Sequence, residues 1–242
     1  MPREPVRWVS LFITTDVVAV TDFDGVKMII NETVGRILAI VVAYLLGSIP
    51  FAYIFTRLTT GKDIRQLGSG NGGAHNVFRE AGMKVAVPVA IFDVAKGTAA
   101  VFIAYKLLEL PFFKPDTFVL LAALAVVAGH MWPVYLKFKG GNGLSATFGA
   151  VAIIMPWEML IVIGLLLILG IITRNLVLSI NLALLSVPIS AWFIDKSWLL
   201  VGFSIVLAVM LILHFLPTAR AALLKAGNKG NLTRELLRKS KN

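Results

Sequence analysis

Long runs of apolar residues decide what this chain can fold into. Residues 34–58, 85–108 and 117–136 each reach the length of about 20 residues that an α-helix needs to cross a bilayer. Hydrophobic residues make up 58% of the 242 residues and charged residues only 15%, and the mean hydropathy is +0.85. Typical soluble domains carry about 25% charged residues. The sequence therefore predicts an all-α, polytopic integral membrane protein.

The second half of the chain adds further apolar segments. Residues 144–173 hold enough apolar length for two short helices broken near Pro156, and one tilted helix is the competing interpretation. Residues 176–194 and 197–216 form two more runs, the last ending at Pro217. Counting two helices in 144–173 gives seven crossings.

Basic residues are distributed unevenly between the two sides that seven crossings define. Fifteen Lys and Arg lie on one side, whereas the loops between helices on the other side hold only Lys114 and Lys196, with Lys106 near a helix end. Cytoplasmic loops are enriched in Lys and Arg. We therefore expect a multi-pass protein of the inner (plasma) membrane, with the polar loops and the C-terminus in the cytoplasm and the N-terminus outside. Six crossings would place the basic tail outside, against its charge.

Composition divides the chain into three parts. Residues 1–33 form an N-terminal extension, which we expect to be either a short interfacial helix around residues 6–15 or a disordered tail. Residues 34–217 form the membrane domain, and residues 218–242 form a basic tail suited to a lipid surface. We interpret the net charge of +10 as basic residues that face anionic membrane lipids, and no nucleic-acid partner is expected. The lack of cysteine excludes disulfides and thiol catalysis.

Two glycine-rich polar loops between the apolar runs are the candidates for chemistry. The first, residues 68–79, has glycines at 68, 70, 72 and 73, whose freedom at positive φ lets successive N–H groups form an anion-binding concavity. Ser69, Asn71 and Asn76 add neutral hydrogen-bonding groups, and Arg79 adds a planar fork for phosphate. A flexible turn is the alternative.

The second loop, residues 137–143, reads Lys-Phe-Lys-Gly-Gly-Asn-Gly and opens a helix. Helix N-termini favour anions through their free N–H groups and their dipole. The loop therefore predicts a second anion site that includes Lys139, and a basic loop anchored to lipid headgroups is the alternative.

Ionisable residues near the loops are further candidates. Asp93 and Lys96 share a helix face in an apolar run, where they form either a structural pair or a charged part of the site. His130 and His214 lie near the loop-side ends of their runs, and for each a structural or interfacial role is the alternative. No carboxylate pair, metal-ligand cluster or Ser-His-Asp pattern is recognisable. An enzyme of this kind works by positioning and charge neutralisation, and no cofactor or metal is expected.

In this order, the motifs resemble the bacterial membrane glycerol-3-phosphate acyltransferases that use acyl phosphate. The family's Ser-Gly-Asn-x-Gly-Ala-x-Asn-Val-x-Arg is matched from Ser69 to Arg79, and its Asp-x-x-Lys-Gly from Asp93 to Gly97. Its Gly-His-x-x-Pro-Val, followed by Lys-Phe-x-Gly-Gly-Lys-Gly, is matched from Gly129 to Gly143 except at one position. The resemblance covers residues 36–216.

The resemblance implies seven membrane helices and acyl transfer from acyl phosphate to glycerol 3-phosphate, giving lysophosphatidic acid and phosphate for phospholipid biosynthesis. The departing phosphate would itself take the hydroxyl proton. The candidate catalytic residues are Ser69, Arg79 and His214. The candidate substrate-binding residues are Gly70, Asn71, Gly73, Asn76, Asp93, Lys96, His130, Lys139, Gly140, Gly141, Asn142 and Gly143.

Three positions depart from the family pattern. Asn142 stands in place of a lysine, Pro217 in place of an asparagine, and His75 in place of a serine or threonine. They predict a slower enzyme, an enzyme for another phosphorylated acceptor, or a homologue that only binds lipid, and a small transporter is a more distant alternative. Lys137 and Lys139 are the candidates to supply the charge absent at position 142.

Overall fold

A small sheet that the sequence did not predict precedes the helices. The computed structural model describes residues 17–23 and 26–226. Strands β1 (Val17–Phe23) and β2 (Val26–Asn31) pair antiparallel, with Val17 opposite Asn31 and an irregularity between Ala19 and Asp22. The interfacial helix expected around residues 6–15 lies outside the described residues. From Glu32 onward the regular structure of the described chain is helical, which confirms the all-α prediction for the membrane part.

Ten α-helices follow the sheet in the described chain. They are α1 (Glu32–Ser48), α2 (Phe51–Thr60), α3 (Ala74–Ala81), α4 (Met83–Leu107), α5 (Thr117–Met131), α6 (Leu144–Ile154), α7 (Pro156–Thr173), α8 (Leu176–Leu184), α9 (Val187–Ile194) and α10 (Trp198–Ala226). Short 3₁₀ turns occupy Ile64–Gln66 and Val134–Leu136.

Five helical segments of the described chain are long and apolar enough to cross a membrane. They are Thr33–Thr60, which joins α1 and α2, then α4, Thr117–Leu136, α7 and the part of α10 from Trp198 to Leu216. Two shorter apolar stretches, Leu144–Ile154 and Leu178–Ile194, accompany them. The break at Met155 confirms two helices in residues 144–173. Seven crossings and the orientation of the termini stay predictions.

Prolines interrupt some helices and lie inside others. The first span breaks at Ile49 and Pro50, where the sequence has Gly-Ser-Ile-Pro. The apolar part of the last helix ends at Leu216, as predicted, but Pro217 does not end the helix itself, because α10 continues to Ala226. A proline removes one N–H from a helix without ending it when the freed carbonyl finds another partner, and Pro88 likewise lies inside α4.

Glycines let the central helices approach backbone to backbone. A Cβ on Gly47 of α1 would overlap the carbonyl of Val126 in α5, and a Cβ on Gly97 of α4 would overlap that of Ala146 in α6. Thr98 Oγ1 also donates to the Gly149 carbonyl at 3.1 Å, from α4 to α6. Membrane helices associate through such small residues, since lipid supplies no hydrophobic drive between them. This packing brings the ends of α4, α5 and α6 together, and both glycine loops attach there.

Candidate functional site

The first glycine loop is shaped by one buried side chain. Asn76 is 2% exposed, and its Oδ1 accepts from the Ser69 N–H at 3.1 Å. Its Nδ2 donates to the carbonyls of Ile64, Leu67 and Asn71 at 3.3, 3.1 and 3.0 Å. The Asn76 amide therefore holds the loop against the start of α3. Its N–H donors are all used in these bonds, so none remains for a ligand.

The second glycine loop is shaped by close approach to the end of α5. The N–H groups of Gly140 and Gly141 donate to the carbonyls of Met131 and His130 at 3.2 and 3.0 Å. A Cβ on Gly140 would overlap the His130 carbonyl, and one on Gly141 would overlap the His130 ring. Gly143 has φ +81° and precedes α6. Side chains are therefore excluded at Gly140 and Gly141.

The two loops touch each other. The Gly72 N–H donates to the Gly140 carbonyl at 3.0 Å, and a Cβ on Gly72 would lie only 3.1 Å from the Gly140 carbonyl carbon. Arg65 adds a second link, since its Nη1 donates to the Leu136 carbonyl at 3.3 Å. The same guanidinium pairs with Asp63 at 2.6 Å and lowers the pKa of that carboxyl. The loops thus form one surface.

A buried ionic cluster lies beneath that surface. Asp93 Oδ1 contacts Lys96 Nζ at 2.8 Å and His130 Nδ1 at 3.4 Å. Lys96 Nζ also donates to the Ile49 carbonyl at 3.1 Å, at the break between α1 and α2. All three side chains are buried and border a gap of only about 10 Å³. The cluster ties α4, α5 and the first span together under the second loop.

Two larger cavities open on either side of the loop junction. The first, called the α10 cavity, has a volume of about 860 Å³. Its polar end is formed by Ser69, Gly70, Asn71, Gly140, Asn142 and His214, and its apolar side by Trp132, Ile205, Val206, Val209, Met210 and Leu213. The His214 ring meets the Trp132 ring edge-on at 5.2 Å. Asn71 and Asn142 line both cavities.

The second, called the α4 cavity, has a volume of about 570 Å³ and receives the N-termini of two helices. Gly73, Ala74 and His75 bring the start of α3 to it, and Leu144 and Ser145 bring the start of α6. Besides Asn71 and Asn142, its other polar lining residues are Arg79, His130, Arg174 and Asn175. Its apolar wall includes Val87, Ala90, Val94, Phe148, Leu166, Leu176 and Ile180. Helix N-termini and guanidinium groups both favour anions, so this cavity suits a ligand that joins an anionic group to an apolar one.

His75 contributes no charge to the α4 cavity at neutral pH. Burial, with the nearby positive charge of Arg79, lowers the pKa of His75 below its ordinary value of 6.5. The imidazole is therefore neutral at pH 7 and acts as a hydrogen-bonding group.

The structure brings most of the predicted site residues to one junction. Ser69, Gly70, Asn71, Gly140, Asn142 and His214 line the α10 cavity, and Asn71, Gly73, Arg79, His130 and Asn142 line the α4 cavity. Asn76, Asp93, Lys96, Gly141 and Gly143 line neither and lie behind or beside the loops. Lys139 is exposed and lines neither cavity.

Sequence reasoning missed several residues of this region. Trp132 lines the α10 cavity, and Ser145 and Arg174 line the α4 cavity. Ser145 directly follows the second glycine loop, and Arg174 is a lone cation between two apolar runs on the side of the loops, which was the available signal.

A family model and sequence relatives match this chain over most of its length. The family model described as glycerol-3-phosphate acyltransferase matches residues 37–223. Glycerol-3-phosphate acyltransferase 1 of Dehalococcoides mccartyi is 39% identical over 200 residues, which cover 81% of this chain and 94% of the relative. The glycerol-3-phosphate acyltransferase of a Thermoanaerobacter species is 40% identical over 177 residues, covering 73% and 86%.

Two solved structures share the fold. Both are crystal structures of PlsY (YgiH), an integral membrane glycerol 3-phosphate acyltransferase, and each match covers 78% of this chain and 92% of the other. The glycerol 3-phosphate form has a TM-score of 0.71 at 30% identity, and the lysophosphatidic acid form has 0.69 at 28%. These matches support an integral membrane fold for the helices described above.

Proposed function

This chain belongs to the glycerol-3-phosphate acyltransferase family and transfers an acyl group to glycerol 3-phosphate, and from this premise we propose that its donor is an acyl phosphate. We further propose that both substrates react where the two glycine loops meet. One observation carries this proposal: the hydrogen bond from Gly72 to Gly140 joins into one surface the two loops that we expect to bind anions. Two adjacent anion sites match two substrates that each carry a phosphate.

The acyl phosphate fits the α4 cavity. Its phosphate would lie between the first turns of α3 and α6, where N–H groups have no partner within the helix. Arg79 would bind it with paired N–H donors. The apolar wall along α4, with Val87 and Val94, would take the acyl chain.

Glycerol 3-phosphate would reach the junction through the α10 cavity. Ser69 and Asn71 lie at the polar end of that cavity, and His214 stands beside them. Because Asn71 and Asn142 line both cavities, the acceptor hydroxyl can meet the acyl carbonyl between them. Asn76 would position the loop, because its amide donors already hold loop carbonyls.

The reaction requires one bond exchange and one proton transfer. The C1 hydroxyl oxygen of glycerol 3-phosphate bonds to the acyl carbon, and the bond from that carbon to the phosphate oxygen breaks. The hydroxyl proton leaves with the departing phosphate, which gives lysophosphatidic acid and inorganic phosphate. Loop N–H groups and Arg79 would stabilise the negative charge that develops on the phosphate. Asp93, Lys96 and His130 would hold the second loop in place from below.

The orientation of the site in the membrane is part of the proposal. The excess of Lys and Arg on the loop side supports loops that face the cytoplasm of a bacterial inner membrane. Water-soluble glycerol 3-phosphate then arrives from the cytoplasm, and the acyl chain and the product lie among membrane lipids. Reporter fusions after residues 62 and 114 test this, since the first should report a cytoplasmic position and the second an external one.

A donor comparison tests the proposed chemistry. The purified protein in detergent micelles is given glycerol 3-phosphate with palmitoyl phosphate, palmitoyl-CoA or palmitoyl-acyl carrier protein. We expect lysophosphatidic acid and an equal amount of inorganic phosphate from palmitoyl phosphate, and no phosphate release when glycerol 3-phosphate is omitted. Transfer from a thioester but not from palmitoyl phosphate would overturn the donor assignment.

A further inference from the structure

Arg174 has a backbone conformation that an arginine rarely adopts. It ends α7 with φ 50° and ψ 26°, and its N–H donates to the Gly170 carbonyl at 3.0 Å. This left-handed conformation at a helix end is usually taken by glycine, because it strains a residue that has a Cβ. The conformation fixes the direction in which the arginine side chain leaves the backbone.

The Arg174 side chain is available to a ligand. It lines the α4 cavity, and no described residue forms a hydrogen bond or an ion pair with its guanidinium group. The other arginine that lines this cavity is on another element, Arg79 of α3. No carboxylate is present among the described residues that line this cavity. The guanidinium therefore faces a site with no negative protein charge to neutralise it.

The charge that a phosphate would meet in the α4 cavity comes from two arginines. Asn142 and Ser145 are neutral, and His75 is neutral at pH 7 because burial and Arg79 lower its pKa. Lys137 and Lys139, which the sequence suggested as sources of charge beside Asn142, line neither large cavity. Arg79 and Arg174 remain as the charged groups.

Apolar residues around Arg174 indicate which substrate it meets. Leu166 of the same helix and Leu176 and Ile180 of the next helix line the α4 cavity with it. A ligand whose anionic group reaches Arg174 therefore has apolar surface beside it. Glycerol 3-phosphate has no chain to fill that surface, whereas an acyl phosphate does.

We propose that Arg174 binds the phosphate of the acyl donor and supplies, from the turn between α7 and α8, the positive charge that Asn142 does not provide. This inference rests on the proposed function, since it assigns a group to the donor of that reaction. Arg79 and Arg174 then approach the donor phosphate from different elements of the fold, α3 and the end of α7.

Steady-state kinetics of Arg174→Gln and Arg174→Lys test the assignment. Loss of a charge-assisted contact to phosphate should raise KM for palmitoyl phosphate on the order of 10- to 100-fold in Arg174→Gln. KM for glycerol 3-phosphate should stay within about twofold, and Arg174→Lys should retain most of the affinity because the charge remains. Lys62→Gln removes an exposed cation that lines neither cavity and serves as the matched control. A change confined to KM for glycerol 3-phosphate, or no change, overturns the proposal.

A rescue experiment separates charge from folding. Asn142→Lys places an ammonium group in the same cavity, so the double variant Arg174→Gln with Asn142→Lys should regain most of the donor affinity. A double variant no better than Arg174→Gln alone contradicts the proposal.

Binding of an inert donor analogue distinguishes this inference from the proposed reaction. Hexadecylphosphonate carries the anionic group and the chain but cannot transfer an acyl group. Calorimetric titration in micelles should show tighter binding to the wild-type protein than to Arg174→Gln, by a factor similar to the KM change. Failure of palmitoyl transfer by the wild type would sink the proposed function, whereas equal phosphonate affinities would sink the role of Arg174.

Discussion

The two glycine loops contribute to one surface but are held in place by opposite means. The first loop is held by a side chain, because the Asn76 amide bonds one N–H group and three carbonyls. The second loop is held by the absence of side chains, because Gly140 and Gly141 lie against the backbone and ring of His130. Removing the Asn76 side chain should therefore loosen the first loop, whereas adding a side chain at Gly140 or Gly141 should displace the second.

The largest effect should come from adding one methyl group to the second loop. In Gly140→Ala the new Cβ would overlap the His130 carbonyl and lie 2.8 Å from that of Met131, so the loop must move. A displacement of about 1 Å in a positioning element can cost on the order of 100-fold in rate. Acyl transfer by the purified variant measures this loss. Gly164→Ala is the matched control, since a Cβ there meets nothing within 4 Å, and equal activities would show that the second loop can move freely.

The next effect concerns the ionic cluster beneath the second loop. Asp93→Asn leaves the buried Lys96 ammonium without its carboxylate, and breaking a buried pair from one side costs about 3–5 kcal/mol. Thermal unfolding in detergent should show a marked loss of stability. The double variant Asp93→Asn with Lys96→Met should be more stable than the single variant, because no unpaired charge remains. If Asp93→Asn were as stable as the wild type, the ionic cluster would not be what supports the second loop.

A smaller effect is expected from loosening the first loop. Asn76→Ala leaves buried loop groups without partners, at a cost of roughly 1–3 kcal/mol. A comparable loss of positioning energy lowers kcat/KM by roughly tenfold. The measurement is kcat/KM for glycerol 3-phosphate beside the unfolding temperature. If Asn76→Ala impaired transfer more than Gly140→Ala, the contrast between the loops would be reversed.

The smallest effect is the pH dependence of folding stability that arises from His75 in the first loop. Its pKa is lowered in the folded protein, so the unfolded chain binds the proton more readily. Stability linked to this group is therefore fully present above pH 6.5 and declines as the pH falls below that value. The slope should be well below the limit of about 1.4 kcal/mol per pH unit for one proton, since solvent screens this half-exposed ring. The drop in unfolding temperature between pH 7.5 and pH 5.5 should be slightly smaller in His75→Asn than in the wild type. An equal drop in the two proteins would contradict the prediction.

The sequence predicted the parts of the fold that follow from local pattern. Apolar length and Pro156 predicted the spans and the division of residues 144–173, because both properties act over a few residues. The apolar run to Leu216 was predicted correctly, but Pro217 did not show where the helix ends. A proline breaks a helix only when the freed carbonyl finds no other partner, and the sequence does not reveal that. The hairpin of β1 and β2 was missed because its short strands show no clear alternation of apolar and polar residues.

The candidate site was predictable where glycine and polar residues cluster in the chain, as in the first loop. Its contacts between distant segments were not. That Lys96 bonds the Ile49 carbonyl, and that Arg174 shares a cavity with Arg79, depend on how helices pack, and no spacing in the sequence encodes them. For the same reason the sequence does not show that Lys139, adjacent to the glycines, lines neither large cavity.

The break at Ile49 and Pro50 also has a mechanical consequence. The half of the first span before the break is fixed to α5, where Gly47 approaches the Val126 backbone, and the half after it packs on α4 through the rings of Phe51 and Phe92, 5.0 Å apart. A spanning helix answers a change in hydrocarbon thickness by tilting. Here such a tilt turns about the Ile49 carbonyl, which holds the Lys96 ammonium. A change in the thickness of the surrounding bilayer would therefore shift the buried Asp93–Lys96 pair that supports the second loop.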